Sequence, residues 1–278
     1  MVKRAGERGM VERSRRKKAK RKKLTLLGSH ARSWLWGRNV IRETIASGRW
    51  RILELFLSDN LPPEELEEVC SAAERLGLIP QIVGPGVLEQ HTHTAEHQGY
   101  LAKMGPYPYK TVDEVLSAAP PNPLYLVLDA IQDPYNFGAM LRSAGAFAVN
   151  GVFIGTHRQV PVTSMVARSS AGVVNHVPIV QVANLPELAR MLRDRRVRVI
   201  GASEKADQLL TACEFHGALA IVIGNEGTGI GPELLSCCDS LVRIPIEATV
   251  GSLNAAAAAA VFFFEIRRQR DAATGGTP

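Results

Sequence analysis

The sequence has 278 residues, 46% of them hydrophobic and 22% charged, which suits one large or two ordinary globular domains and excludes a wholly disordered chain. Its longest apolar run, the alanine-rich stretch before Phe262–Phe264, is short and meets Glu265 and Arg267, so no membrane-spanning helix is expected. The formal net charge of +6 is uneven: residues 1–23 hold 12 of the 33 Lys/Arg and 2 of the 27 Asp/Glu, leaving the remainder with 21 basic against 25 acidic residues.

The first segment is therefore a basic tail. The run from Arg15 to Lys23 has nothing to bury, and residues 1–33 are expected to be disordered. Such a tail suits sequence-independent contact with nucleic-acid phosphates through counterion release; a solubilising or membrane-surface tail is the alternative. No apolar segment follows the charges, as a secretory signal would need, and the tail lacks the amphipathic pattern of a mitochondrial presequence. A cytoplasmic protein is expected. Cys70, Cys213, Cys237 and Cys238 show no metal-ligand spacing and read as small buried apolar residues.

From residue 34 the pattern becomes globular. Val40, Ile41 and Ile45 predict a short helix, and Ile52–Leu57 a strand. Pro62-Pro63 opens a helix through Leu66, Val69, Ala72, Ala73 and Leu76, stopped by Gly77, and Ile79–Val83 forms a second strand. Residues 34–105 thus make a small α/β domain. His91, His93 and His97 fall in a stretch read as a loop, as a hydrogen-bonded cluster with no metal expected. Residues 106–121, bounded by Pro106, Pro108, Pro120 and Pro121, read as a linker containing a short helical segment.

Residues 122–270 alternate strands and helices. Strands are expected at Leu124–Leu128, Gly151–Ile154, Val177–Val182, Val197–Ala202, Leu219–Ile223 and Leu241–Ile246, nearly continuous apolar runs typical of parallel strands covered on both faces. Helices are expected around Met140–Phe147, Ser164–Ala171, Leu185–Arg193, Pro232–Leu235 and Leu253–Arg270, giving a doubly wound α/β domain. Residues 271–278 read as a second tail.

Three segments, each after a strand, carry candidate chemistry. In Asp133-Pro134-Tyr135-Asn136-Phe137-Gly138 a turn leads into a helix, placing Asn136 at its N-terminus with Arg142 less than two turns on. An amide and a guanidinium there suit phosphate or ribose oxygens; simple capping and a surface ion pair are the alternative. In Gly224-Asn225-Glu226-Gly227-Thr228-Gly229-Ile230-Gly231 the glycines admit close backbone approach to a ligand. No Gly-Lys-Ser/Thr follows, and the spacing lacks the final step of the dinucleotide fingerprint, so nucleoside triphosphates and an oxidoreductase cofactor are disfavoured. Glu226 would repel phosphate and suits a hydroxyl or a cationic ligand. In Gly251-Ser252-Leu253-Asn254 a strand passes into the last helix, where one polar residue is explained as a cap but not necessarily both.

In this order the three segments resemble the motifs of the SpoU (TrmH) branch of the SPOUT RNA methyltransferases, at Asp133–Ala144, Gly224–Gly229 and Ser252–Asn254. Upstream, Gly37-Arg38-Asn39-Val40 and His97–Ala102 are similar to the edges of the ribosomal-protein-like RNA-binding domain that precedes the catalytic domain in the 23S rRNA guanosine 2'-O-methyltransferase group. The resemblance implies a deep trefoil knot, a homodimer with the active site near its interface, and S-adenosylmethionine bound bent in the knot. It places the cofactor against Gly224, Ile244 and Leu253, with Ala202 and Ser203 at the edge, and the catalytic groups at Asn136, Arg142, Glu226, Ser252 and Asn254, with Arg142 nearest the target ribose. The chain departs from the family at Ala255-Ala256, where Val-Ser is common. The reaction so implied is methyl transfer to a ribose 2'-hydroxyl of RNA, on 23S rRNA. Arg142 keeps its proton, so a phosphate, a water or Glu226 is left as proton acceptor. The same chemistry on tRNA, or a fold that binds RNA without catalysis, are the competing expectations.

Overall fold

The computed structural model describes residues 34–247, 249 and 251–273; the expected N-terminal tail and residues 274–278 lie outside them. The elements, in chain order, are β1 (Trp34–Trp36), α1 (Arg38–Ser47), β2 (Ile52–Ser58), α2 (Pro63–Glu74), β3 (Gln81–Val83), α3 (Pro85–Thr92) and β4 (Tyr100–Met104). There follow α4 (Val112–Ser117), β5 (Leu124–Leu128), α5 (Pro134–Ala146), β6 (Gly151–Gly155), α6 (Ser164–Ser169) and β7 (Ile179–Val182). The last are α7 (Leu185–Asp194), β8 (Arg198–Ala202), β9 (Gln208–Leu209), β10 (Leu219–Ile223), α8 (Pro232–Leu235), β11 (Ser240–Arg243) and α9 (Ala255–Ala273).

Contacts divide the chain into two units. Among the described residues, Trp34–Arg38 and Ile52–Gly105 form the first, and Asn39–Arg51 with Pro106–Ala273 the second. In the first unit the strand order is β1-β4-β2-β3, with β4 antiparallel to both neighbours and β2 parallel to β3. Trp34, Phe56, Leu88 and Leu101 form its small core. The stretch expected as a histidine loop is partly helical: His91 lies in α3, its ring 4.5 Å from that of Trp34. His97 is buried, its Nδ1 accepting the Gly99 N–H at 3.1 Å. These histidines point to different neighbours, and no group of three His, Cys, Asp or Glu able to hold a metal occurs among the described residues.

The second unit is built on a seven-stranded parallel sheet, β7-β6-β5-β10-β8-β11-β9. β5 and β10, Leu-Tyr-Leu-Val-Leu and Leu-Ala-Ile-Val-Ile, are buried at every position, as two covered faces require. β11 ends at Arg243, not Ile246: the run Ile244-Pro245-Ile246 is apolar, but Pro245 has no N–H for a ladder. α9 buries Ala255, Ala256, Ala259, Phe262, Phe263 and Ile266 along one face and packs against α5. It runs to Ala273, into the stretch expected as a tail.

The residues connecting to β5 are tied to this unit. Lys110 N–H donates to Ile179 O at 2.8 Å, Tyr107 Oη donates to Val174 O at 2.8 Å, and Tyr109 Oη accepts from Val162 N–H at 2.8 Å. Burial pushes both phenols above their ordinary range, which keeps them neutral. The part of α1 belonging to this unit is held by Thr44, whose Oγ1 accepts from Asn175 Nδ2 at 3.0 Å, and by Glu43, 2.7 Å from His176. No described helix is long and apolar enough to cross a membrane.

Candidate active site

The C-terminal ends of β8, β10 and β11 are adjacent in the sheet, and the chain leaving each lines one cavity of about 280 Å³. Ala202 and Ser203 enter from β8, Ile223 and Gly224 from β10, and Val242 and Ile244 from β11. Leu253, Ala255 and Phe262 contribute from α9 and the turn before it. All five residues expected to hold a cofactor, Ala202, Ser203, Gly224, Ile244 and Leu253, lie in this wall.

The glycine-rich loop takes its shape from its own sequence. Asn225 N–H donates to Gly229 O at 3.0 Å, and Gly229 N–H returns a bond to Asn225 O at 2.8 Å, closing a tight loop with Gly229 at φ 70°. Asn225 Oδ1 accepts from Gly227 N–H at 2.9 Å and Thr228 N–H at 3.2 Å, while its amide donates to Ala130 O at 2.9 Å. A side chain at Gly224 would fall 2.2 Å from the carbonyl carbon of Gly229, so the loop closes over the end of β10 only because Gly224 has none. Asp129, just past β5, accepts Gly231 N–H at 2.7 Å and fixes the far end of the loop.

At the rim of the cavity three distant residues meet. Asp133 caps α5, its Oδ1 accepting Tyr135 N–H at 3.1 Å, and this sets Asn136 in the first turn of the helix. Asn136 Nδ2 donates to Glu226 Oε1. Asn254 Nδ2 donates to Glu226 Oε1 at 2.9 Å and to Asn136 Oδ1 at 3.0 Å. Asn254 Oδ1 meanwhile accepts from Ala256 N–H at 2.9 Å and Ala257 N–H at 3.2 Å, capping α9. Asn254 is thus both a helix cap and a donor to the carboxylate. With both amides on Oε1, the Glu226 side chain is held in place and its Oε2 is left to accept from a ligand hydroxyl.

Ser252 lines the cavity and is exposed. Arg142 is not drawn into the network: it is exposed on α5 and pairs with no described residue. Six residues from Asn136 place it about 120° around the helix, on a stripe with the exposed Tyr135, Ala139 and Ala146. Sequence reasoning missed Asp129, Asn225 and Phe262. Asn225 had a usable signal, an asparagine opening a glycine turn, whereas Asp129 and Phe262 are placed by topology alone.

Asn254→Asp keeps the cap acceptor but loses both donated bonds and sets a second carboxylate beside Glu226. Any turnover that depends on Glu226 is expected to fall at least about tenfold, as loss of one bond to a charged group implies, with the melting temperature nearly unchanged. Turnover and thermal unfolding of the variant check this; unchanged turnover at an unchanged melting temperature would make Asn254 a cap only.

Comparison with known proteins places this geometry. Residues 123–264 match the model of the SpoU rRNA Methylase family, and residues 34–110 that of the RNA 2'-O ribose methyltransferase substrate-binding domain. The chain is 33% identical over 239 residues to the 23S rRNA (guanosine-2'-O-)-methyltransferase RlmB of Shewanella oneidensis, covering 85% of this chain and 97% of that protein. It is 32% identical over 246 residues to YacO of Bacillus subtilis, assigned to the TrmH family of tRNA/rRNA methyltransferases, covering 87% of this chain and 98% of that protein. The fold matches the crystal structure of the SpoU methyltransferase AviRb from Streptomyces viridochromogenes in complex with AdoMet, with a TM-score of 0.74 at 24% identity over 86% of this chain and 90% of that one. An RNA 2'-O ribose methyltransferase crystal structure matches with a TM-score of 0.70 at 25% identity, over 85% of this chain and 88% of the other.

Proposed function

Because the chain belongs to the SpoU methylase family, we propose that it methylates a ribose 2'-hydroxyl of RNA, with ribosomal RNA as its substrate class and S-adenosylmethionine as methyl donor. The observation that carries this reading is the joining of Asn136, Glu226 and Asn254, from three separate segments, at the rim of the cavity that ends β8, β10 and β11.

The cavity suits the donor: an apolar wall from Ile223, Ile244, Leu253 and Phe262 for a ring, and backbone around Gly224 and Ser203 for polar edges. Bound there, S-adenosylmethionine supplies an electrophilic methyl on a sulfonium. The chain's own residues position the acceptor and manage its proton. Glu226, fixed by two amides, accepts a hydrogen bond from the 2'-hydroxyl and takes its proton as the oxygen becomes nucleophilic. Ser252 offers a further hydroxyl at the cavity wall. Arg142 remains a cation and orients the ribose and its phosphate through its planar fork. Much of the rate then comes from alignment.

The reading includes the deep trefoil knot around the donor and a homodimer. Tyr135 is 60% exposed on α5, and Val261 and Phe264, at 36% and 58%, lie one turn apart on α9, which packs against α5. Arg142 shares the α5 stripe, so a second copy covering it would bring Arg142 into an enclosed site at the interface. Phe264→Asp is expected to turn a dimer into monomers in sedimentation experiments; an unchanged dimer would place the interface elsewhere. Work in the cytoplasm, where ribosomal RNA is made and modified in bacteria, goes with this reading.

Label transfer from S-adenosylmethionine to large-subunit ribosomal RNA and, separately, to bulk tRNA tests the substrate class. Incorporation into ribosomal RNA is expected; incorporation into tRNA alone would keep the chemistry and overturn the substrate, and none into any RNA, with donor binding intact, would favour the non-catalytic alternative.

A further inference from the structure

Away from the cavity, the end of α7 and its exit into β8 read Arg190-Met191-Leu192-Arg193-Asp194-Arg195-Arg196-Val197-Arg198, five arginines and one aspartate in nine residues. Residues 24–278 are otherwise net acidic, so this is a concentrated reversal of sign. Arg190, Arg193, Arg196 and Arg198, with Asp194 and Asp239, line a shallow concavity.

These arginines divide by role. Arg193 Nε lies 2.7 Å from Asp239 Oδ1, and Asp239 Oδ2 accepts Val199 N–H at 2.8 Å, which builds the floor. Arg198 is half-buried and donates from Nη2 to Glu214 O, while its buried Nε has no partner among the described residues. Arg190, Arg195 and Arg196 are exposed and pair with no described carboxylate. The helix dipole favours a cation in the last turn and accounts for Arg193. It does not account for Arg196, which sits at φ 62°, a left-handed position where glycine ends helices without penalty. Exposed guanidiniums side by side without carboxylate partners repel one another, a cost that a bound polyanion would offset.

We propose that this arginine cluster is a phosphate-binding surface that docks the backbone of the RNA substrate at a distance from the methyl-transfer site. The inference rests on RNA being the substrate. Guanidinium forks match phosphodiester oxygens, and the concavity is open and mostly polar, its one apolar lining residue, Val197, being buried. It lies where β8 begins, whereas Ala202, at the other end of β8, lines the cavity. Five residues of strand separate the two by about 15 Å, several nucleotides of backbone. The cluster therefore serves affinity and register, and leaves the chemical step to the rim.

The test uses the full chain and the double variant Arg190→Ala/Arg196→Gly. RNA affinity is measured by filter binding to large-subunit ribosomal RNA between roughly 50 and 200 mM salt, with saturation kinetics and thermal unfolding alongside. Two lost phosphate contacts are expected to lower the slope of log affinity against log salt by about 1.4. KM for RNA should rise about tenfold with kcat unchanged, and the melting temperature should hold or rise because Arg196→Gly relieves the left-handed residue. An unchanged salt slope and KM in a chain that methylates RNA would overturn the proposal. A wild-type chain that neither binds nor methylates RNA would overturn the reading beneath it instead.

Discussion

Replacing Arg142 by lysine is expected to lower single-turnover methyl transfer on the order of 100-fold or more, the effect of losing one preorganised donor, while S-adenosylmethionine binding stays within a factor of two or so. The basis is geometric. Arg142 lies outside the cavity wall and outside the Asn136–Glu226–Asn254 network, so the donor site does not depend on it. Its exposed place on α5 leaves the fork free to meet ribose and phosphate, and lysine keeps the charge but has no planar, bidentate geometry. Calorimetry for the donor and rapid-quench transfer for turnover separate the two effects. Turnover within a few-fold of the wild type would remove Arg142 from the orienting role and leave Glu226 and Ser252 to hold the ribose.

The second large effect is expected at Gly224. Alanine there would set a methyl 2.2 Å from Gly229 C, 2.3 Å from Ile230 N and 2.4 Å from Gly229 O, all backbone atoms that no rotamer change can move. The paired bonds between Asn225 and Gly229 must open, which shifts both the cavity wall and Glu226, the next residue but one. A loss of at least about 3 kcal/mol in donor binding, or roughly 100-fold in Kd, is expected, with a destabilisation of about 1–3 kcal/mol. Gly227→Ala is the control: a side chain there meets nothing closer than Asn225 Oδ1 at 3.5 Å, an ordinary contact, so its effect on Kd should be much smaller. Equal losses at the two positions would mean that the loop's flexibility, not the close approach at Gly224, governs binding.

Much of the second unit was legible because its strands are long apolar runs that no amphipathic element would tolerate; Leu124–Leu128 and Leu219–Ile223 have the bounds read from sequence. Local signals failed where the elements were short or the pattern interrupted. β1 is three residues long and has no period to detect, and α3 buries only Leu88 and Thr92, so its stretch read as a loop and carried His91 with it. That Asn39–Arg51 would join the second unit was invisible, because Val40, Ile41 and Ile45 declare a buried face but not what covers it.

The site divides the same way. Asn136, Glu226 and Asn254 stood out as polar residues at strand ends and helix starts, yet 90 and 28 residues separate Glu226 from its two donors, and only the sheet order brings them together. The departure at Ala255-Ala256 leaves the site's contacts in place: Ala255 lines the cavity, and Ala256 supplies a backbone N–H to Asn254 that does not depend on its side chain.

The most direct test of the central claim is where the methyl goes. RNA labelled by the full chain from methyl-labelled S-adenosylmethionine would be hydrolysed in alkali, which cleaves next to every free 2'-hydroxyl. A Glu226-assisted transfer to ribose predicts label in alkali-resistant dinucleotides; label confined to mononucleotides would place the methyl on a base and contradict it.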